Sequence, residues 1–452
     1  MTIAVYKDHF KRNITLAVPV MLSQLGHVMV GVADSAMVGQ LGTIPLAAAS
    51  LGNSIFAIIL TFGIGISYAI TPLIAAADGK KHYQKSGKIF KHGLYINIVA
   101  GVLLYFLSYG VTFVLPFLDQ PEAVAIMAAP YLNIIGLSLV PFMIFQSCRQ
   151  FAEGLSLTKK AMYITIGANL LNIGLNYIMI YGKFGFPAMG LFGAGLATLI
   201  SRIVMAIGMG IYIFKAGVFQ PYIKKMRWRG FSKKLGKRML KLGLPTGLQF
   251  VFEVGAFSAA AIMAGWLGAI QLAAHQIAIS LTSVSYMMAS GISAAATVRV
   301  GNQLGLNDIP TLRIAGFTSF IMAVAFMLVA CLGFALGKDF LPGLYADELE
   351  VLQIASVLLV IAAIFQIFDG VQVVALGALR GLEDVKMPTI VAIISYWLIG
   401  LPLGYVLGFK LDLGIEGIWY GLLTGLAITA ITLFLRFNIL TNRLLAKNTK
   451  LA

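Results

Sequence analysis

Apolar and polar positions fall in long blocks along the chain. Runs of about 20 mostly apolar residues, the length a helix needs to cross a bilayer, recur near residues 13–38, 47–75, 93–115, 128–150, 162–181, 191–214, 242–266, 275–298, 314–337, 352–378, 389–409 and 415–436. Short polar or glycine-containing connections separate them, and none is long enough to hold a soluble domain. The longest polar segment, Lys215 to Lys241, divides the chain near its middle. The pattern predicts an all-α integral membrane protein with twelve transmembrane helices.

The two halves echo each other. Leu41-Gly42-Thr43-Ile44-Pro45-Leu46-Ala47-Ala48 returns as Leu267-Gly268-Ala269-Ile270-Gln271-Leu272-Ala273-Ala274, an offset of 226. At the same offset Pro19 falls on Pro245, and Gly65-Ile66-Ser67-x-Ala69-x-Thr71 on Gly291-Ile292-Ser293-x-Ala295-x-Thr297. Gly154-Leu155 matches Gly381-Leu382 with one residue of slippage, and Gly190-x-x-Gly193 matches Gly414-x-x-Gly417. Several matches at a nearly constant offset indicate duplication. Six spans per copy is an even number, so the second copy enters with the same orientation. The expectation is two parallel six-helix repeats around a central cleft: an N-terminal lobe over 1–220, a basic cytoplasmic linker over 221–241 and a C-terminal lobe over 242–452.

Composition agrees. Of 452 residues, 59% are hydrophobic and 11% charged, against about 25% charged in a soluble domain. A cytosolic enzyme, a nucleic-acid-binding domain and a secreted disulfide scaffold are excluded as readings of the whole chain. The net charge of +16 then belongs to connecting loops. Lys80, Lys81, Lys85, Lys88 and Lys91, then Lys159 and Lys160, the linker cations Lys224, Lys225, Arg227, Arg229, Lys233, Lys234, Lys237 and Arg238, then Arg313, Arg380 and Lys386 fall on one side. The other side has Lys183, Lys338 and Lys410. The positive-inside rule puts both termini in the cytoplasm. The basic N-terminus (Lys7, Lys11, Arg12) and the apolar run behind it read as an uncleaved first span, since the run continues past Asp34. Cys148 and Cys331, each in an apolar run, read as packing residues.

Three of the seventeen acids lie well inside spans: Asp34 in the first, Glu253 in the seventh and Asp369 in the tenth. A charge at the bilayer centre is unfavourable by at least about 2.5–3.5 kcal/mol on insertion scales, so such residues face a protein interior or an aqueous cavity. Arg202 is the one central base to set against them, with Arg299 and Arg149 nearer the cytoplasm, which favours a cation-attracting cavity over a structural ion pair. Gln366, Asp369 and Gln372 follow at i, i+3 and i+6, a sloping stripe on one helix. Gln249 and Glu253 share a face of the seventh span, as do His27, Gly31 and Asp34 on the first. Asn169, Asn172 and Asn176 line up in the otherwise apolar fifth span. A carboxylate so placed has two options. It carries a proton, because low dielectric favours its neutral form, or it stays ionised and binds Na⁺ among amide and hydroxyl oxygens. Phe252, Phe365 and Phe368 beside the acids are candidates to hold an organic cation by cation–π contact, with Gln366 among them. His275 reads as a packed, hydrogen-bonded residue. Pro19 removes a backbone hydrogen bond and kinks its helix, which makes it a candidate hinge.

These residues resemble a family. Val32-Ala33-Asp34-Ser35-Ala36-Met37-Val38-Gly39, Phe252-Glu253-Val254, Ala273-Ala274-His275-Gln276, Arg299-Val300-Gly301 and, most specifically, Asp369-Gly370-Val371-Gln372-Val373-Val374-Ala375 followed by Leu379-Arg380-Gly381 are similar to multidrug and toxic compound extrusion (MATE) transporters of the NorM type. The resemblance covers all twelve spans. It implies an antiporter that expels cationic or amphipathic drugs in exchange for H⁺ or Na⁺. It implies a cation site on Glu253 and Asp369, which would be the ligands of a metal if the ion is Na⁺. It also implies a second polar site around Asp34, with Asn172, Asn176 and Thr198 as neighbours. Some members carry an acid on the fifth span, where this chain has asparagines. The accompanying expectations are a monomer in the bacterial cytoplasmic (inner) membrane, with organic cations and membrane lipid as partners, no nucleic acid, and no cofactor beyond the coupling ion. The main rival is a lipid-linked oligosaccharide flippase of related architecture, which should show several intramembrane arginines for pyrophosphate. An intramembrane enzyme would need a catalytic dyad or metal motif, and neither His-x-x-x-His nor Gly-x-Ser-x-Gly occurs. A channel would more naturally be an oligomer with filter loops.

Overall fold

The computed structural model describes residues 3–117, 121–224, 226 and 230–449; Lys225, Arg227 and Arg229 of the linker lie outside them. Among the described residues, twelve helices are long and apolar enough to cross a membrane: α1 (Lys7–Gly39), α2 (Thr43–Gly79), α3 (Tyr83–Thr112), α4 (Glu122–Gly154), α5 (Thr158–Tyr181), α6 (Gly190–Lys215), α7 (Lys233–Leu267), α8 (Ala269–Leu306), α9 (Ile309–Gly337), α10 (Leu349–Gly381), α11 (Lys386–Lys410) and α12 (Gly414–Asn448). The protein is a multi-pass membrane protein, and every expected span is present. α2 relaxes for one turn at Tyr68 and Ala69. In α11 two π-helical segments, Ile394–Gly400 and Val406–Lys410, interrupt the α geometry.

The internal repeat extends to the corners. The chain turns into α2 at Gly42 (φ 116°) and into α8 at Gly268 (φ 134°), at the same offset of 226. Such backbone angles favour glycine because it lacks a Cβ.

Packing divides the chain into two units. The N-unit is Leu22–Gly247; the C-unit is the chain up to Met21 together with Leu248 onward. Loop composition placed the boundaries at 220 and 242. Packing draws them inside two helices, because α1 and α7 each begin on one unit and end on the other. Both crossings come two residues after a proline inside the helix, Pro19 and Pro245.

In the N-unit, the linker is pinned to the start of α3. Lys91 Nζ donates to the Gly230 carbonyl at 2.6 Å, and the Ser232 amide donates to His92 Nε2 at 2.7 Å. Arg149 and Glu153 form a buried ion pair one turn apart on α4, at 2.6 Å. In the C-unit, Asn13 of α1 donates to Ser319 Oγ of α9 at 2.9 Å. Trp419, Leu422 and Leu426 of α12 sit in a core with Leu358, Leu359 and Phe365 of α10. α11 meets α12 through two rows of glycine at four-residue spacing. Gly400, Gly404 and Gly408 face Gly425, Gly421 and Gly417, and a Cβ on Gly421 would lie 2.4 Å from the Gly404 Cα. Small residues let membrane helices pack backbone against backbone, which substitutes for the hydrophobic drive that lipid does not supply. Cys148 and Cys331 are both free thiols.

Candidate cation and substrate sites

The C-unit gathers polar side chains deep in its spans. Glu253 projects from α7, and Gln366, Asp369 and Gln372 project from α10; all four are buried. Helical periodicity explains the set from α10, since residues three apart share a face. Gln372 Nε2 donates to Glu253 Oε1 at 2.9 Å, and Gln372 Oε1 accepts from the Tyr396 hydroxyl of α11 at 2.8 Å. Asp369 lies within Coulombic range of Glu253. Glu253 Oε2 and both amide atoms of Gln366 are buried without a full hydrogen-bond partner among the described residues, although the Gln249 amide lies against the Glu253 carboxylate. Native interiors rarely leave buried polar atoms unpaired, so each such atom calls for a water, a bound ion or a proton. Here the unmatched acceptors include a carboxylate oxygen and an amide carbonyl, hard oxygens that suit a proton or an alkali cation. One base reaches this region that loop counting did not anticipate. Arg380 of α10 is within Coulombic range of Glu253 and holds its guanidinium 5.7 Å from the Phe250 ring centroid.

The N-unit brings together the second polar set. Asn176 Nδ2 donates to Asp34 Oδ1 and to Asn172 Oδ1, the latter at 3.2 Å. Asn172 Nδ2 reaches Thr198 Oγ1 at 3.4 Å. α1, α5 and α6 are thereby joined by one chain of hydrogen bonds ending on a carboxylate. Asn169 also faces α1, where a Cβ on Gly26 would lie 2.9 Å from its amide nitrogen. Arg202 is held by a hydroxyl and two aromatic rings. Its guanidinium donates to Ser138 Oγ at 2.8 Å and lies 4.9 and 4.8 Å from the ring centroids of Phe56 and Phe142. The two aromatic faces stabilise the cation in place of water.

The candidate aromatics separate. Phe252 is half-buried and meets Trp397 edge to face at 6.0 Å. Phe368 is half-buried at the margin of the C-unit core. Phe365 is buried, and Phe257 and Trp419 pack edgewise on its ring at 6.1 and 6.0 Å. Gln366 is likewise fully buried. His275 is buried and accepts from Trp419 Nε1 at 3.1 Å.

Two residues at the C-unit site escaped sequence reading. Tyr396 and Trp397 sit in an apolar run where aromatics read as packing. The available signal was their polar atoms, since a buried phenol or indole N–H needs a partner. Trp397 Nε1 finds one in the Phe252 carbonyl, at 2.9 Å.

The chain is similar to known proteins in sequence and in fold. The MatE family model matches residues 19–178 and again 245–406, one copy in each half. A probable multidrug resistance protein NorM of Rhodopseudomonas palustris is 36% identical over 98% of this chain and 94% of its own length. The multidrug resistance protein NorM of Photobacterium profundum is 33% identical over 95% of both chains. Among solved structures, the eukaryotic MATE transporter AtDTX14 superposes with a TM-score of 0.87 over 97% of this chain and 99% of that one, at 20% identity; that likeness speaks for the fold.

Proposed function

The chain belongs to the MatE family, and from that premise we propose that this multidrug efflux transporter is a secondary active antiporter, exporting cationic or amphipathic organic compounds in exchange for Na⁺ or H⁺ by alternating access. It is a transporter and not an enzyme. The observation that carries the antiport reading is the buried group of Glu253, Asp369 and Gln366, in which a carboxylate oxygen and both amide atoms lack a full hydrogen-bond partner among the described residues. Removing a carboxylate from water without compensation is strongly unfavourable. A proton on Glu253 or Asp369, or a Na⁺ held by their oxygens and the Gln366 carbonyl, relieves that penalty. Release of the ion to the other side restores it, so ion occupancy biases the conformational equilibrium.

Asp34, with Asn176, Asn172 and Thr198, forms the second cation-responsive site, and the half-buried faces of Phe252 and Phe368 contact the organic substrate. Pro19, two residues before α1 passes between units, is the hinge through which the Asp34 site acts. The protein works as a monomer surrounded by lipid in the bacterial inner membrane, with both termini cytoplasmic, as the loop cations favour. A flippase for a pyrophosphate-linked lipid is disfavoured, because Arg202 is already engaged by Phe56, Phe142 and Ser138. The test is drug accumulation in inverted vesicles under an imposed Na⁺ gradient and then under an imposed pH gradient. One of the two gradients should drive transport. Failure of both would overturn antiport.

A further inference from the structure

The C-unit contains a connection that ion binding alone does not require. Glu253 Oε1 accepts from Gln372 Nε2 at 2.9 Å, and Gln372 Oε1 accepts from the Tyr396 hydroxyl at 2.8 Å. The next residue, Trp397, donates its indole N–H to the carbonyl of Phe252, the neighbour of Glu253, at 2.9 Å. Trp397 also packs on α7 at Gly255, where a Cβ would come within 3.1 Å of its ring. Tyr396 and Trp397 belong to the π-helical segment Ile394–Gly400. Wide turns of this kind are rare and are found most often at functional sites. Two consecutive side chains of one irregular turn thus grip the same turn of α7, one directly and one through Gln372.

We propose that Tyr396 and Trp397 are positioning residues that hold Glu253 in place, one through Gln372 and one through the Phe252 carbonyl, and so tie ion occupancy of that site to the π segment of α11. This deepens the antiport reading above and rests on it.

The chemistry has a direction. A primary amide has one accepting and one donating end. An ionised Glu253 accepts only, so the Gln372 amide must present its NH₂ to the carboxylate and its carbonyl to Tyr396. The bond to the carboxylate is charge-assisted and about twice as strong as a neutral one. An ion seated on Glu253 competes for the oxygen that Gln372 uses. Displacing the Gln372 amide would take away the acceptor that anchors the Tyr396 hydroxyl, one of the two grips of the π segment on α7. The charged and titratable groups around this relay are Asp369 and Arg380 on α10, Tyr396 itself and Tyr286 on α8. Tyr396 is buried, and its ring lies 6.0 Å from Phe257, so the hydroxyl can be removed without emptying the site.

Tyr396→Phe keeps that ring and deletes the relay. In proteoliposomes with a fluorescent organic cation, its KM for the dye should stay within about twofold of wild type. Its kcat should fall by about 10-fold or more, the scale seen when a partner behind a primary ligand is lost. The driving-ion concentration for half-maximal rate should shift as well. An unchanged kcat and an unchanged ion profile would overturn the proposal. A second readout does not depend on transport. Lowering the pH or adding Na⁺ should change tryptophan emission in the wild type, and the change should vanish in Trp397→Phe and in Glu253→Gln. Persistence of the full signal in Trp397→Phe also overturns the proposal. The two readings separate cleanly. A Glu253-dependent Trp397 signal in a protein that no ion gradient drives would sustain the relay and count against antiport. Efflux that is lost in Glu253→Gln but normal in Tyr396→Phe would sustain antiport and remove the relay.

Discussion

Gly65 lies against Gly247 backbone to backbone, so close that a Cβ on Gly65 would fall 2.3 Å from the Gly247 Cα. The glycine 226 residues on is closed in as well, there by a side chain. A Cβ on Gly291 would fall 2.4 Å from Cγ of Met21, and Met21 and Gly247 are the last residues of their segments before the chain changes unit. The duplication therefore preserved a specific seating of helix on helix as well as a sequence pattern. α7 seats on α2 in the N-unit, and α1 seats on α8 in the C-unit.

Gly65→Ala should therefore be destabilising, although alanine is the better helix former by about 1 kcal/mol. Overpacking of this kind typically costs about 1–3 kcal/mol, and the opposing atoms are backbone, which cannot rotate away. Gly110→Ala, where nothing lies within 4 Å of the new Cβ, is the matched control and should melt at or above the wild-type temperature. Thermal unfolding of purified protein in detergent decides the point. A Gly65→Ala protein as stable as the control would show that the helices separate easily here.

Glu253→Gln and Asp369→Asn should each abolish gradient-driven efflux while the protein still elutes as one sharp peak in detergent. Each change keeps shape and removes the charge, so a fold defect is not expected from volume. Wild-type efflux in either variant would remove that residue from the coupling site.

In the N-unit, Asn176→Ala deletes the donor that Asp34 Oδ1 uses and the bond to Asn172. Hydrogen bonds to charged groups contribute about 1.5–3 kcal/mol, so a loss of stability on that scale is expected. Asn172→Ala, which removes only neutral hydrogen bonds, should be milder. Equal melting temperatures for the two variants would mean that Asp34 is not ionised in the resting protein.

Much of this architecture was legible because membrane insertion penalises polar side chains. Asp34, Asn172, Asn176 and Thr198 stand out against an apolar background at helical spacing, and the structure joins them in one hydrogen-bonded chain. Glu253, Asp369 and Gln372 were legible for the same reason. The glycine rows at 400, 404, 408 and 417, 421, 425 were not, since a glycine reveals itself only through the backbone it allows to approach. Tyr396 and Trp397 were hidden because an aromatic in an apolar span reads as packing until its hydrogen-bond partner is known. The burial of Phe365 was not legible either, as adjacency to an acid along the chain does not say which way a ring points. The unit boundaries were also invisible, because α1 and α7 change partners in mid-helix, where composition does not change.

The last prediction concerns the charge of the transported compound. In the C-unit Glu253 and Asp369 outnumber Arg380, the base that approaches them among the described residues. A flat aromatic cation such as ethidium is favoured twice in such surroundings. Its charge meets carboxylates, and its rings meet Phe252, Phe368 or methionine. On the antiport proposed above, H⁺ or Na⁺ that neutralises the carboxylates would weaken the attraction and release the compound, a thermodynamic linkage of ion entry and drug exit. An anionic dye of like size meets repulsion and should be a poor substrate. Paired efflux assays with a cationic and an anionic dye, in cells lacking other pumps, measure the preference. The cation should leave at least about tenfold faster, corresponding to about 1.4 kcal/mol of differential stabilisation. Equal efflux, or preference for the anion, would overturn the acidic-site argument and restore the flippase reading.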